Sequence, residues 1–199
     1  MNAMDRAIKV FRDHNGILRT QQAIHYGIAP RTLYEMRDTG VIVRESRGLY
    51  RLAEIELNSN TDLIQVGLRI PRAVICLISA LSFHNLTTQI PHQIYIALPV
   101  YAEKPRLEYP PFRIFWLSNK VYGTGIENHE LDGIPIKIYG REKTIADCFK
   151  FRNKIGLDVA LEALREYRKG DEFNVETLLM YARIDRVEKV IRPYLEAML

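Results

Sequence analysis

Few side chains in this sequence have the types and spacing that catalysis requires. Ser79 and His84 lie in one segment, as a nucleophile and its base would, but they are five positions apart and no G-x-S-x-G motif surrounds the serine. A magnesium-dependent nuclease needs a carboxylate on one strand and Glu-x-Lys on the next, whereas Glu142 and Lys143 are adjacent. The sequence therefore predicts no catalytic residues and no enzyme.

The cysteines and histidines do not follow a metal-binding pattern. Cys76 and Cys148 are far apart and neither belongs to a C-x-x-C pair, which favours buried thiols over a disulfide or a metal site. The five histidines are spread along the chain without zinc-like clustering. We expect neither a metal nor another cofactor.

The residues best suited to contact a partner lie between positions 30 and 38 and suit nucleic acid. Arg31 can donate two hydrogen bonds to O6 and N7 of guanine. Thr32 and Tyr34 could contact a thymine methyl group or a phosphate, and Glu35 could accept a hydrogen bond from a cytosine amino group. Alternatively, Arg31 and Glu35 form a surface i,i+4 pair on a helix that binds nothing.

These side chains require a helix that buries one face and leaves the other exposed. Pro30 suits the first turn of that helix, and Thr20 is the predicted N-cap of a preceding one. Leu33 and Met36 would share the buried face. Residues 41–52 then change to two short strands joined by a polar turn. This is the order of a winged helix-turn-helix, in which the second helix enters the major groove of DNA.

Several basic side chains are positioned to contact phosphates. They lie on the hairpin and just before the first of the two helices. Arg44, Arg47 and Arg51 lie on the hairpin, which is better suited to phosphates than to bases. For Arg51, simple exposure to solvent is an equal alternative. Arg19, next to Thr20, would meet phosphate at a helix N-terminus, and its exposure to solvent is an equal alternative. The predicted DNA-binding residues are Arg19, Thr20, Arg31, Thr32, Tyr34, Glu35, Arg44 and Arg47.

The distribution of charge supports a basic N-terminal segment. The formal net charge of the 199 residues is only +4. Residues 1–52 contain nine Lys or Arg and five Asp or Glu, whereas the remainder contains 19 of each class. All of the excess positive charge therefore lies in the segment predicted to bind DNA, where it would neutralise phosphates.

A second domain is predicted at residues 62–199, after a loop-like stretch at residues 53–61 and a first domain at residues 1–55. The apolar run at residues 73–81 predicts one buried central helix. Three strand-like segments follow, and their short connections favour antiparallel pairing. These segments lie at residues 93–99, 112–117 and 134–139. Helical spacing then continues to the end. The expected fold class is α+β, a winged helix-turn-helix followed by a mixed domain with a small, mainly antiparallel sheet packed by helices.

The N-terminal segment resembles the DNA-binding domain of the AbiEi family of antitoxins. Its residues follow the patterns G-[IV]-[SA]-x-R-T-L-Y, G-x-[IVL] and R-G-x-Y-R-L at Gly27, Ile28, Ala29, Arg31, Thr32, Leu33, Tyr34, Gly40, Arg47, Gly48, Tyr50, Arg51 and Leu52. Residues 79–91 are similar to the S-A-L-x-x-H-x-L-T-x-Q-x-P signature of the family's C-terminal domain, and residues 141–164 form another similar stretch. The matches occur in the family's order and span nearly the whole chain.

This resemblance implies a type IV antitoxin and transcriptional autorepressor, encoded beside a nucleotidyltransferase-like toxin in a bacterial operon for phage defence by abortive infection. It implies that the first domain binds inverted repeats of double-stranded DNA in its own promoter. The second domain would counter the toxin without a stable complex, through protein or RNA contacts. His84, Thr87 and Gln89 would then form an antitoxin patch, unless they only fix a buried loop by hydrogen bonds. A palindromic operator can recruit two monomers or one homodimer.

Two other functions stay open at this point. A winged-helix regulator unrelated to any toxin would bind a small molecule in its second domain, and an endonuclease would cleave DNA in a Mg²⁺-dependent way. No stretch is long and apolar enough to cross a bilayer, and the first residues are charged where a signal peptide needs an apolar core. We therefore expect a cytoplasmic protein with no membrane partner.

Overall fold

The computed structural model of the chain describes residues 2–14, 16–54, 61–107 and 109–198. Within these residues, helices combine with a three-stranded and a five-stranded sheet in an α+β arrangement. The chain divides into two compact units, Met1–Ser59 and Asn60–Leu199. Most of the predicted loop at residues 53–61 lies outside the described residues.

In its described residues, the first unit places three helices against a small antiparallel sheet. The elements are α1 (Ala3–Asp13), β1 (Ile17–Arg19), α2 (Thr20–His25), α3 (Pro30–Asp38), β2 (Ile42–Ser46) and β3 (Leu49–Leu52). The strand order is β1-β3-β2, and both pairs are antiparallel. Phe11 from α1 and Leu33 and Met36 from α3 are fully buried in its core. The predicted order of helix, turn, helix and hairpin is therefore present.

The turn between α2 and α3 is fixed by local backbone hydrogen bonds. Gly27 adopts a φ of +88°, which a glycine reaches without steric cost. Its N–H donates to the Ile24 carbonyl at 3.0 Å, and the Ile28 N–H donates to the Ala23 carbonyl at 2.9 Å. This pair of bonds is the Schellman arrangement that ends many helices. Pro30 then begins α3, where its nitrogen needs no hydrogen-bond partner.

Two predictions for the first unit were wrong. Thr20 is the first residue of α2 and not its N-cap, a position that Arg19 occupies. The Gln22 side chain supplies the capping acceptor instead, since its Oε1 lies 2.9 Å from the Arg19 backbone nitrogen. Arg51 is not exposed on the hairpin but only 8% accessible, with its Nε 2.7 Å from Oε1 of Glu45 on β2. A paired guanidinium can be buried in this way, whereas an isolated one almost never is.

The second unit contains a mixed sheet surrounded by helices. Its elements are α4 (Thr61–Arg69), β4 (Val74–Ile75), α5 (Leu77–Phe83), β5 (Ile94–Pro99), β6 (Phe112–Leu117), α6 (Asn119–Tyr122), β7 (Ile126–Leu131), β8 (Ile134–Tyr139), α7 (Arg141–Lys150), α8 (Arg152–Ile155), α9 (Leu157–Lys169), α10 (Val175–Ile184) and α11 (Glu188–Met198). The helices expected after the last strand are present as α7, α9, α10 and α11.

The sheet of the second unit is mixed rather than mainly antiparallel. Its strand order is β6-β5-β4-β8-β7. β5 pairs in parallel with β6 along its whole length, and β4 is also parallel to β8. The β4–β5 and β7–β8 pairs are antiparallel. The connection from Pro99 to Phe112 has no helix among its described residues, but it is long enough to return the chain to the same end of the sheet, which is why parallel pairing is possible there.

The apolar run at residues 73–81 is buried as predicted, but it is not one helix. Val74 and Ile75 form β4 in the middle of the sheet, and α5 begins only at Leu77. Cys76 between them has an extended backbone and donates its N–H to the Tyr95 carbonyl at 3.0 Å. The run therefore first contributes strand β4 to the sheet. It then continues as helix α5, which packs against the sheet.

The strands of this sheet separate two apolar cores. On β5, Tyr95 and Ala97 face one core while Ile96 and Leu98 face the other, as the two-residue period of a strand requires. Helices α5, α7, α9, α10 and α11 pack in the first core, and α4 packs in the second. β6 and β7 form the two edges of the sheet.

Candidate nucleic-acid interface

The outward face of α3 carries most of the predicted base-contacting side chains. Leu33 and Met36 have no exposed surface, whereas Arg31 and Glu35 are exposed and Tyr34 is 47% accessible on the opposite side of the helix. Among the described residues, no ion pair joins Arg31 to Glu35 or to another acid. The structure thus presents Arg31, Tyr34 and Glu35 together to the surroundings.

Thr32 lies on a different side of α3 from these three residues. It lines a groove of about 520 Å³ between α1 and the α2–α3 turn. Tyr26 lines the same groove, as do Arg6 and Lys9 from α1. Thr32 is therefore separated from the outward face, although the sequence placed it there.

Arg37 is a residue that sequence reasoning missed. Its guanidinium lies 5.2 Å from the centre of the Tyr34 ring and 2.6 Å from Oδ1 of Asp38. The side-chain hydrogen bond that Arg37 donates to Asp38 raises the pKa of Arg37 above its ordinary value. The three-residue spacing of Tyr34 and Arg37 was a signal for this contact, since such pairs are neighbours on a helix. The contact fixes the Tyr34 ring at the edge of the outward face.

The hairpin turn lies next to the start of α2. The N–H of Thr20 donates to the Gly48 carbonyl at 2.9 Å, and Arg19 pairs with Leu49 across β1 and β3. Arg19, Arg44 and Arg47 are exposed. The structure therefore brings Arg19 and Thr20 close to the tip of the hairpin. Their distance from the hairpin along the sequence did not predict this proximity.

His84 occupies a distinct position in the second unit. Its Nε2 lies 2.8 Å from the Tyr139 carbonyl and donates the hydrogen bond. Burial lowers the pKa of His84, so that the ring is neutral at physiological pH. The ring also contacts His129, with centroids 5.9 Å apart. It lines a groove of about 330 Å³ together with Arg141 and Tyr167.

Thr87 and Gln89 do not line that groove with His84. Thr87 and Thr88 bind the Glu162 carboxylate of α9, with Thr88 N–H donating at 2.7 Å. This backbone bond is the largest cause that lowers the pKa of Glu162. The N–H of Gln89 donates to Thr87 Oγ1 at 3.1 Å, and the Gln89 side chain is exposed. The hydrogen bonds of Thr87 and Thr88 thus tie their loop to α9.

The groove beside His84 is lined by paired charges. Arg141 forms an ion pair with Glu172. The Tyr167 hydroxyl contacts the Glu142 carboxylate and accepts the Asn174 N–H at 3.0 Å. Burial, and then the Glu142 contact, raise the pKa of Tyr167. These partners hold the groove in shape, and Nδ1 of His84 is one polar atom of its lining beside the side chains of Asn85 and Asp171.

The cysteines have no metal partners in the described part of the chain. No group of three or more His, Cys, Asp or Glu is placed there to hold an ion, and Cys76 and Cys148 are buried free thiols. Burial raises the pKa of both thiols well above the ordinary value. Within the same residues, no helix combines the length and the apolar character that crossing a membrane requires.

The fold and the exposed basic residues define an α+β protein whose N-terminal unit fits a winged helix-turn-helix regulator. Residues 5–53 match the family model described as "Transcriptional regulator, AbiEi antitoxin". The resemblance to the AbiEi family is therefore confirmed over the first unit. No curated protein sequence matches the chain.

A solved structure has a similar fold. The crystal structure of RV2827C protein from Mycobacterium tuberculosis is similar over 98% of this chain and 80% of that chain, with a TM-score of 0.58. The two sequences are 12% identical in the alignment. At that identity the likeness concerns the fold alone.

Proposed function

We propose that this protein is a transcriptional autorepressor and a type IV antitoxin that acts in the cytoplasm without an enzymatic activity of its own. Its first unit binds inverted repeats of double-stranded DNA in its own promoter. Its second unit counters a nucleotidyltransferase-like toxin encoded beside it, by a functional effect that needs no stable complex. The match of residues 5–53 to a family of antitoxin regulators supports both parts.

The outward face of α3 is the observation that carries the DNA-binding part. Arg31 and Glu35 are exposed while Leu33 and Met36 anchor the same helix in the core. A second helix held in this way can enter the major groove with its polar side outward. Arg31 then contacts guanine, and Tyr34 and Glu35 contact neighbouring bases or phosphate.

The hairpin and the start of α2 hold the DNA backbone in this proposal. Arg19 and Thr20 lie beside the hairpin tip, and Arg44 and Arg47 are exposed on the hairpin. Their contacts with phosphate fix the position of α3 without reading sequence. Thr32 takes part only at the flank of the helix, because it faces the groove beside α1.

The DNA-binding part is tested with the protein's own upstream DNA and with random DNA of equal length. We expect the wild type to prefer the upstream fragment and Arg31→Ala to lose roughly 5- to 150-fold in affinity for it, as removal of a bidentate guanine contact does. Arg12→Ala is the matched control, since Arg12 is also an exposed arginine of the first unit but pairs with Glu54 at 2.9 Å. Equal binding of both fragments would exclude sequence-specific autorepression.

The antitoxin part is tested separately by growth of cells that express the neighbouring toxin. Wild type and Arg31→Ala should both restore growth, because the toxin is countered by the second unit. His84→Ala and Gln89→Ala should weaken rescue if the proposed patch of His84, Thr87 and Gln89 acts on the toxin or its substrate. Rescue that depends on Arg31 instead would mean that repression alone protects the cell.

A ligand-sensing regulator is the second candidate function, favoured by the groove beside His84. Its volume of about 330 Å³ is at the lower end of small-molecule sites. In that case a metabolite would raise the Tm of the protein and change its affinity for the promoter, and His84→Ala would abolish both effects. Toxin rescue with no such ligand effect would exclude it.

A further inference from the structure

Strand β6 is an edge of the five-stranded sheet, and its outer backbone groups have no hydrogen-bond partner among the described residues. The N–H of Val100 donates to the Leu117 carbonyl at 2.9 Å, so Leu117 directs its backbone toward β5. Successive residues of a strand direct their N–H and C=O groups to alternate sides, and the parallel register with β5 is regular. The residues whose N–H and C=O groups point away from the sheet are therefore Phe112, Ile114 and Trp116.

The two edge strands of this sheet differ in how well they resist pairing with another strand. β7 has the sequence IENHEL, and its exposed Glu127 and Glu130 are charges of the kind that protect an edge. β6 has the sequence FRIFWL, in which Arg113 is the one charge. Its guanidinium lies 5.2 Å from the centre of the Phe115 ring of the same strand. An apolar edge of this length without charged protection is one to which another strand adds.

The side chains of Phe112, Ile114 and Trp116 form an apolar stripe on one face of the sheet, as alternate residues of a strand do. Ile114 lies beside Ile96 of β5, which belongs to the core that contains α4. Phe112 and Ile114 are half-buried, and Trp116 is 40% accessible. The stripe thus continues the core to the edge of the sheet, where it is partly exposed.

The described part of the connection between β5 and β6 runs over this face of the sheet, because Ala102 and Leu107 pack against the same core. A groove of about 770 Å³ separates it from β6. Lys104 and Arg106 line the groove together with Trp116, and Glu103 is also exposed on the connection. Charges of both signs therefore lie there, and the open backbone edge is the more selective feature.

We propose that β6 pairs antiparallel with β6 of a second copy of this chain, about a twofold axis at Ile114, so that the two five-stranded sheets become continuous. Ile114 then lies opposite Ile114 of the other copy, and Phe112 lies opposite Trp116. Each of these opposite pairs exchanges both N–H···O=C hydrogen bonds. An axis at Arg113 or Phe115 would leave one of the three outward residues unpaired within β6, which is why Ile114 is the centre.

A second copy matches the side chains of this edge as well as its backbone. The Ile114 pair and the pairs of Phe112 with Trp116 join the two apolar stripes, and such cross-strand pairs stabilise sheets. Arg113 of one copy faces Phe115 of the other and not a second cation, so the pairing brings no like charges opposite each other. The contact is isologous and closes after two copies. It does not depend on DNA binding by the first unit.

Sedimentation of the full-length protein without DNA, from about 1 μM to about 1 mM, tests for this dimer. Two short strands form a smaller contact than a standard interface of roughly 1,600 Å², so we expect a reversible equilibrium of monomer and dimer in that range. Trp116 is the one tryptophan of the chain. Its emission should shift to shorter wavelength as the dimer forms, because its ring then leaves water.

Two variants disrupt the contact in different ways. Ile114→Pro removes an outward N–H that β5 does not use, and Trp116→Lys places a charge in the apolar stripe. Each should raise the dissociation constant of the dimer at least about tenfold. Asn128→Lys is the matched control, since it adds a lysine at an exposed position of β7 and should leave the dimer unchanged. Thermal unfolding at a dilute concentration shows that each variant is folded.

Cysteine crosslinking tests the register of the pair. Opposite Cα atoms of a hydrogen-bonded antiparallel pair are about 5.5 Å apart, which a disulfide can span. Ile114→Cys should therefore give a covalent dimer under mild oxidation. Phe112→Cys is the matched control, because its two copies would lie roughly 14 Å apart along the strands. The native Cys76 and Cys148 are buried and should not react.

The proposal fails if the protein stays monomeric over the whole concentration range, or if both Ile114→Pro and Trp116→Lys leave a dimer unchanged. Crosslinking of Phe112→Cys as readily as Ile114→Cys would also contradict it, since other surfaces would then meet. Species larger than a dimer would replace the twofold contact by open aggregation through the edge. Because no DNA is present, none of these results bears on promoter recognition through Arg31.

Discussion

The buried charges of the second unit show how single residues can set its response to pH. Lys143 has no exposed surface, contacts the Asp147 carboxylate and lies 3.2 Å from Oδ2 of Asp185. Lys150 lies 3.2 Å from the other oxygen of Asp185, and the Tyr139 ring faces the Lys143 ammonium at 4.8 Å. Two carboxylates thus share one fully buried ammonium. A change in the protonation of one of these buried groups therefore changes the stability of the unit.

Asp147 is the member of this network that titrates near neutral pH. It is 1% exposed, and its Oδ2 has no hydrogen-bond partner among the described residues. Burial is the largest cause that raises its pKa to about 7, against the lowering effect of Lys143 and with a further rise from Asp185. Although burial lowers the pKa of Lys143, the two carboxylates raise it above the ordinary value, so that Lys143 stays charged through this range.

We therefore predict that the titration of Asp147 lowers the free energy of unfolding as the pH rises from about 4 to about 7. Within that window the folded chain keeps a proton on Asp147 that the unfolded chain has released, so stability is greater at the acidic end. Urea unfolding followed by Trp116 fluorescence should show the wild type losing stability relative to Asp147→Asn as the pH increases. The comparison cancels the titration of other groups, and a difference that stays constant with pH would contradict the prediction.

At the scale of elements, residues that mark helix ends made the first unit predictable from its sequence. Pro30 at the start of α3 and glycines after α2 and α3 define the helix boundaries by their own backbone preferences. The three-residue spacing of Leu33 and Met36 then fixes which face is buried, and so which face exposes Arg31. The burial of Arg51 was not predictable in this way, because it depends on which residue of β2 lies beside it.

The sheet of the second unit depends on information that local patterns do not contain. β4 has two residues within an apolar run that a buried helix could equally use. β7 was missed because it is an edge strand with the polar sequence IENHEL, and edges tolerate charge. The parallel β5–β6 pair was missed because the connection between these strands has no helix in its described part. Likewise, nothing in the sequence placed Trp116 beside Lys104 and Arg106.

The angle between α2 and α3 provides a prediction at this scale. Gly27 has a φ of +88°, and a Cβ added there would meet no atom within 4 Å. Gly27→Ala therefore introduces only backbone strain, which should destabilise the turn by about 1–2 kcal/mol. Gly27→Asn should cost less, because asparagine adopts this conformation more readily.

Hydrogen exchange of the full-length protein measures this effect where it occurs. In Gly27→Ala the amides of α2 and α3 should exchange faster, whereas those of α7 and α9 in the second unit should exchange as in the wild type. The Ala variant should also bind promoter DNA more weakly, since the turn orients the face that carries Arg31. Equal exchange rates in the Ala variant and the wild type would show that the turn does not need its glycine.

Across the whole molecule, charge is divided unequally. Residues 1–52 contain the entire net excess of four positive charges, while the remaining residues balance 19 basic against 19 acidic side chains. A neutral total can nevertheless include locally exposed cations, such as Lys104 and Arg106 in the connection before β6. Net charge therefore favours the first unit for the proposed binding of duplex DNA but says nothing about smaller sites in the second.

The slope with which promoter affinity falls as salt increases measures how many phosphates the first unit contacts. If Arg19, Arg44 and Arg47 each neutralise one phosphate, one protomer gives a logarithmic slope of about −2.7, and two protomers on an inverted repeat give about −5.4. Arg47→Ala should reduce the magnitude of that slope by about 0.9 per bound protomer and leave the preference for promoter over random DNA unchanged. Arg31→Ala should do the reverse, because a base contact contributes to preference. A slope unaffected by Arg47→Ala would remove the hairpin from the interface and leave α3 as the element that holds the DNA.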